Sequence, residues 1–363
     1  MARVLKTCIS LAAMLVTAVY SGATHAQTAG PEIFFIDTEG GAATLIVTPA
    51  RQSVLIDCGS GGKLGSRDAD RIFHVAHDVA HLKQIDNLII THWHSDHYGG
   101  VEPLVKLIPI AHFYDKGVPE KTLDDPENFP SLIAAYKAAT GGKSNTLHAG
   151  DKVVIDLAPG TPPLTLQCLI ANKQTLPDDS SPAAKNSYAS LHKPHEVDPS
   201  DNANSLGFLL RYGNFRFIDL GDLTWNLEYR LIAPNDKIGL IDVYQTTHHG
   251  IDQSNNPALI KTVRPIVAIV NNGPHKGGTP QLFQNLLDCG SLQAIYEQHR
   301  YLDAQPPADL AGRKLYVANQ DEQCKAVFMH IQIAADSNTY LVSIGERGTP
   351  QQYRTRFAPP LTP

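Results

Sequence analysis

Three imidazoles and a carboxylate fall within six consecutive positions, His92-Trp93-His94-Ser95-Asp96-His97, directly after the apolar run Leu88-Ile89-Ile90 and just before Gly99-Gly100. Imidazole and carboxylate together suit zinc, and also iron or manganese. The four side chains cannot all reach one metal without crowding. A turn can instead aim His92 and His94 at one metal and Asp96 and His97 at a second, and two metals at roughly 3.5–4 Å can act on one substrate. A ligand-rich turn at the end of a short buried strand is how α/β folds expose their chemistry.

The rest of the chain is organised to match. The runs Ile33-Phe34-Phe35-Ile36, Thr44-Leu45-Ile46-Val47 and Val54-Leu55-Ile56 are short, apolar and separated by Gly or Pro, as in a strand meander. Residues 70–84 have a helical pattern. Residues 172–203 are rich in Pro, Ser and Asp and are expected to form a long surface loop. A hairpin over residues 206–220 turns at Tyr212-Gly213-Asn214 and ends in Gly221-Asp222; later strands end at His248-His249-Gly250 and at Asn271-Asn272-Gly273. Strands alternating with helices and ending in polar loops indicate a layered α/β fold.

Composition bounds the partners. The formal net charge is −6 over 363 residues. An acidic chain lacks the basic track that long nucleic acid requires, so the expected substrate is a small molecule or a short phosphodiester. Residues 1–26 resemble a secretory signal: Arg3 and Lys6 are followed by an apolar stretch too short to span a bilayer, then by Thr24-His25-Ala26 as a cleavage site. Export to the periplasm or beyond is the expectation, with no membrane anchor after removal of the signal. Four cysteines follow it, Cys58, Cys168, Cys289 and Cys324, and an oxidising compartment permits pairing. Cys289–Cys324 is the expected pair, because both lie in the C-terminal part. Neither the charge nor the cysteine count bears on the oligomeric state.

At the level of motifs, His92-x-His94-x-Asp96-His97 resembles the signature of metallo-β-lactamase-fold hydrolases. The stretch Phe35-Ile36-Asp37-Thr38-Glu39-Gly40-Gly41 with Val54-Leu55-Ile56-Asp57, the Gly221-Asp222 motif and His248-His249-Gly250 followed by Ser254 resemble the branch that includes the metallo-β-lactamase domain of the competence protein ComEC. The resemblance covers roughly residues 31 to 280, with the motifs in family order. It implies a four-layer αβ/βα sandwich, with a hydrolase domain over 30–290 and with 291–363 as strands completing or extending it.

The resemblance also implies the site. His92 and His94 would hold the first of two divalent metals, zinc being first choice and manganese or iron the alternatives. Asp96 and His97 would hold the second, Asp222 would bridge both, and His248 would complete the second site, with His249 a lesser ligand or a neighbouring donor. Asp96, His248 and His249 are the candidate catalytic groups, acting on water and leaving group. Asp57 would orient the histidine motif. Many family members carry a further histidine where this chain reads Asp201-Asn202-Ala203-Asn204-Ser205. That departure leaves the first metal held more loosely, or completed by water, by an amide, or by His192 or His195 folding back.

Asn204, His275 and Lys276 are candidate substrate contacts, the last two in the loop Asn272-Gly273-Pro274-His275-Lys276-Gly277-Gly278. His74, His77 and His81 fall at helical spacing and are expected to form a solvated stripe. The branch favours a phosphoester or phosphodiester substrate; a lactone or amide hydrolase using the same metals and a non-catalytic metal-binding sensor are the alternatives.

Overall fold

A computed structural model describes residues 30–122, 124–156, 159–178 and 186–360. The signal-like segment 1–26 lies outside the described residues. The chain opens in a first sheet with β1 (Glu32–Phe35), β2 (Thr44–Val47), β3 (Ser53–Ile56), β4 (Ile85–Ile89), β5 (Ile110–Asp115) and β6 (Asn145–Thr146). It then builds a second sheet from β7 (Lys152–Val153), β8 (Leu164–Ala171), β9 (Gln174–Thr175), β10 (Gly207–Tyr212), β11 (Phe215–Asp219), β12 (Val243–Gln245), β13 (Val267–Val270), β14 (Ala294–His299) and β15 (Lys314–Asn319). Finally β16 (Met329–Ile333), β17 (Thr339–Ile344) and β18 (Gln351–Arg354) return to the first sheet beside β1. The C-terminal residues after 290 therefore supply strands to both sheets.

Alternation within the strands makes the layers. Phe35, Ile46, Val54 and Ile56 meet Phe208, Leu210, Phe217 and Val243 of the second sheet in a shared interior. Their sequence neighbours Phe34, Leu45 and Leu55 face outward, against α1 (Gly65–Phe73), α3 (Val101–Leu107) and α4 (Phe129–Thr140). On the other side Leu209 and Ile218 face outward, against α5 (Trp225–Arg230), α6 (Pro257–Val263) and α7 (Pro280–Asp288). One more helical turn, α2 (Ser95–Tyr98), lies in the histidine motif. A two-residue side-chain period is what lets each sheet bury both faces. The result is the helix–sheet–sheet–helix sandwich expected from the sequence.

Strands β3 to β6 run parallel, as do β11 to β15. The loops at the C-terminal ends of β3, β4, β11, β12 and β13 carry Asp57, the histidine motif, Asp222, His248-His249 and Lys276, which gathers five distant segments at one edge.

Several local expectations are corrected. The helix expected over 70–84 begins earlier, at Gly65, and continues as a π-helix over His74–Val79. His74 and His77 both bond the Asp78 carboxylate, and His81 sits apart at φ 54°. The expected Cys289–Cys324 disulfide is not formed. Cys289 caps α7 beside Ser291, whereas the Cys324 thiol donates to Asp37, so their positions in the fold separate them. No described helix is long and apolar enough to cross a membrane.

Candidate active site

Asp57 is the organising side chain. It follows β3 at φ 61° and is buried. Its Oδ1 accepts the Thr91 backbone N–H at 2.8 Å; its Oδ2 accepts the Thr91 hydroxyl at 2.7 Å and lies 2.7 Å from His97 Nδ1. Bonding Nδ1 in this way turns His97 Nε2 toward the site. Thr91 Oγ1 lies 3.1 Å from His92 Nδ1, which orients that ring likewise.

Asp222 stands at the centre, 2% exposed. Its Oδ2 lies 3.2 Å from His97 Nε2, 3.3 Å from His249 Nε2, 3.4 Å from His248 Nε2 and 3.9 Å from His92 Nε2. Asp96 Oδ2 approaches His249 Nε2 at 3.7 Å and His97 Nε2 at 3.8 Å. Two overlapping donor groups result, His92/His97/Asp222 and Asp96/His97/His249. The Nε2 atoms of His92, His97 and His249 are buried and have no hydrogen-bond partner.

The electrostatics follow from crowding. Burial alone would lower the His97 pKa, but the Asp222, Asp57 and Asp96 carboxylates outweigh it and hold the imidazole well above its ordinary value. Burial drives His92 well below, helped by the charge of His97. Burial also brings His248 down to about 4. The Asp222 carboxyl is held well below the usual carboxylate range: burial would raise it, but His249, His97 and His248 prevail.

His248 and His249 are successive non-glycine residues at φ 54° and 55°. Left-handed backbone at such residues costs on the order of 1–3 kcal/mol each and persists only where surroundings enforce it. The enforcing bonds are visible: Gly221 O accepts from His248 N at 2.9 Å, and His249 O accepts from Gly278 N at 3.0 Å. The Asn255 amide donates to Thr247 O and Ile251 O, and Glu228 accepts from the backbone N–H groups of Asn255 and Asn256. Gly277, at φ 80°, lies so close that a Cβ there would stand 2.0 Å from His249 O. The 271–278 loop thus packs directly on the histidine pair and carries Lys276, whose ammonium is ion-paired to Asp96.

The candidates named from sequence divide accordingly. His92, Asp96, His97, Asp222, His248, His249 and Lys276 converge. His249, not His248, joins Asp96 and His97; His248 Nε2 instead faces the Asn202 amide at 3.3 Å, at the position of the missing histidine. His94 is turned to Asp124 Oδ2, 2.5 Å away. His192 stacks on Tyr229 and His195 on Trp225, so neither folds back as a replacement ligand. His275 is exposed and paired with Asp303. Asn204 bonds Asp201, which in turn accepts the Trp93 backbone N–H and the Lys116 ammonium. Asp124, Lys116 and Glu228 escaped sequence reasoning, because each sits in a segment with no motif of its own.

A further donor group, Asp37/His299/Cys324, lies outside this site. Asp37 Oδ1 is 2.7 Å from His299 Nε2, and Asp37 Oδ2 is 3.1 Å from both Arg71 Nη1 and Cys324 Sγ. Arg71 and Arg67 also hold Glu39.

Residues 36–166 match the model of the Metallo-beta-lactamase superfamily. In this match, in the sandwich and in the His/Asp cluster, the chain is similar to the metal-dependent hydrolases of that superfamily. Among individual relatives, the chain is 26% identical over 255 residues to ComE operon protein 3 of Bacillus subtilis (strain 168), an alignment covering 67% of this chain and 28% of that protein. The chain thus spans less than a third of this relative's length. Solved structures similar to it include Igni18, a metallo hydrolase of Ignicoccus hospitalis (16% identity, 82% of this chain and 97% of the other, TM-score 0.37). CmlA, a diiron beta-hydroxylase of Streptomyces venezuelae, is another (13% identity, 74% and 44%, TM-score 0.36).

Proposed function

We propose that the chain is an exported hydrolase that uses two divalent metals, zinc first among them, to cleave a phosphoester or short phosphodiester. The observation that carries this reading is the set of three buried, unpartnered Nε2 atoms aimed at two carboxylates. A buried polar atom without a partner is disfavoured by about 1–3 kcal/mol, and a divalent cation is the partner that suits imidazole and carboxylate together. Asp96, His97, His249 and Asp222 would hold one ion. His92, Asp222 and His94, once released from Asp124, would contribute to the other, with His248 beside them. Bound metals would lower the pKa of water and neutralise charge on a phosphoryl oxygen.

The chain's own residues supply the remainder. Asp57 holds His97 in one orientation. Asp96 is placed to accept a proton from water. His248, with its pKa near 4, is neutral at pH 7 and can accept a hydrogen bond at the site. Lys276, freed from Asp96 by a bound cation, is placed to meet an anionic substrate. The net charge of −6 disfavours long nucleic acid, and the signal-like segment supports export. The deciding experiment is metal analysis of the purified protein, with hydrolysis of bis(4-nitrophenyl) phosphate and of a neutral lactone as the activity readouts. About two metals per chain and phosphodiester turnover are expected. Lactone turnover alone would replace the substrate class, and absence of metal after zinc or manganese loading would overturn the reading.

A further inference from the structure

Two cavities come near the metal-type cluster through neighbours of its residues, although neither is lined by a cluster side chain. One, of about 410 Å³, is walled by Lys116, Lys121, Thr122, Asn172 and Asn204, and it includes Asp124, the partner of His94. The other, of about 420 Å³, is walled by His195, Val197, Trp225 and Gln253, with Glu196 and Asp198 at its lining, and reaches Thr224, two residues beyond Asp222. Pro199 lines both. Asn202, three residues further on, sits against His248. The segment 199–202 therefore borders both cavities at Pro199 and reaches the cluster at His248.

Their walls differ in chemistry. In the first, Lys121 has no ion pair among the described residues, and the Thr122 hydroxyl is buried without a partner. Lys116 is already committed to Asp201, so the free donors are Lys121 and Thr122. In the second, the rings of His195 and Trp225 stack at 4.1 Å with planes 9° apart. Trp225 Nε1 donates to Lys193 O and the Asn226 amide to His195 O, which fixes the pair to the loop. Val197, 82% exposed, adds an apolar flank. A planar ring entering there meets a preformed aromatic stack, and stacking of this kind tolerates many ring types.

We propose that the substrate is a two-armed phosphodiester whose reacting phosphorus lies at the Asp222 cluster. One arm carries an aromatic ring held by the His195–Trp225 pair. The other carries an anionic group received by Lys121 and Thr122. This rests on the phosphodiester reading above and narrows it: a simple dialkyl phosphate fills neither cavity.

The test compares three 4-nitrophenyl phosphodiesters on the metal-loaded protein: the methyl ester, the thymidine 5′-ester, and the thymidine 5′-ester bearing a 3′-phosphate. KM is expected to fall along that series. Trp225→Ala should raise KM for both thymidine esters by roughly tenfold and leave the methyl ester unchanged. His195→Ala, an exposed change that spares the Trp225 hydrogen bond, should do the same to a lesser degree. Lys121→Ala should raise KM about fivefold for the 3′-phosphate ester alone. Turnover of all three esters with KM unmoved by any variant overturns the two-armed assignment and leaves the phosphodiester reading standing. Lactone turnover with no phosphodiester turnover overturns both.

Discussion

Two clusters in this molecule bring metal-ligating atoms within 4.8 Å of one another, one through His and Asp and the other through His, Asp and Cys, yet they differ in what completes them. Around Asp222, three buried imidazole nitrogens face two carboxylates without a hydrogen bond of their own. Around Asp37, His299 and Cys324 approach one carboxylate just as closely, but Arg71 reaches Asp37 at 3.1 Å and Glu39 at 2.6 Å, and Arg67 also holds Glu39. The second cluster contains permanent cations in two arginines; the first has Lys276 on Asp96 and otherwise only imidazoles, whose charge depends on a proton. Proximity of ligating atoms is thus a poor criterion for a metal site. The sharper one is whether the fold has left the donors without a permanent positive partner. Glu228 illustrates a third solution: buried, bonded to two backbone N–H groups and without an ion pair among the described residues, it is pushed up to about 7 by burial, so a proton serves as its cation.

The largest expected effect comes from removing the shared carboxylate. Asp222→Ala should abolish binding of at least one metal by plasma mass spectrometry and reduce the proposed phosphodiester hydrolysis at least roughly 100-fold. Two metals retained with full activity would dissolve the contrast between the clusters. Next is Arg71→Ala. Breaking a largely buried ion pair should destabilise the fold by about 3–5 kcal/mol in chemical denaturation. The same change should convert the Asp37 cluster into a cation site: cobalt(II) titration should show a thiolate charge-transfer band in this variant and none in the parent. A band in the parent would show that Arg71 does not exclude metal.

The Glu228 proton gives a pH dependence. Its folded-state pKa, near 7, lies above the ordinary 4.5. The folded state therefore binds the proton more tightly, and the associated stability is complete below pH 4.5 and lost as pH rises to about 7. The total is about 3 kcal/mol. Glu228→Gln should flatten that part of the stability–pH curve, whereas an unchanged slope would assign it to other buried carboxyls such as Asp219 or Glu297, both also near 7 through burial. Smallest is Asp57→Asn, which loosens His97 without touching a metal. Metal affinity should fall roughly 10–100-fold, read by competition with a chelating dye; an unchanged affinity would mean Thr91 and packing orient the ring unaided.

Much of this protein was determined by local sequence. Period-two alternation in Phe34-Phe35 and Leu45-Ile46 assigns one side chain to the interior and the next to the helices, a consequence of the pleat. The spacing of His92, Asp96 and His97 and the Gly221-Asp222 turn confine those groups to loops at strand ends. Other features depended on chain segments meeting in space. Which of His248 and His249 faces Asp96 turns on two left-handed residues held by Gly221, Gly278 and Asn255. That His94 rests on Asp124, that Lys276 crosses to Asp96, and that Cys324 bonds Asp37 instead of Cys289 are contacts across 30, 180 and 287 positions. Sequence encodes which groups a turn can present; which of them are left without a partner is a property of the assembled sheets, because hydrogen bonds and ion pairs are satisfied by whatever the fold brings near.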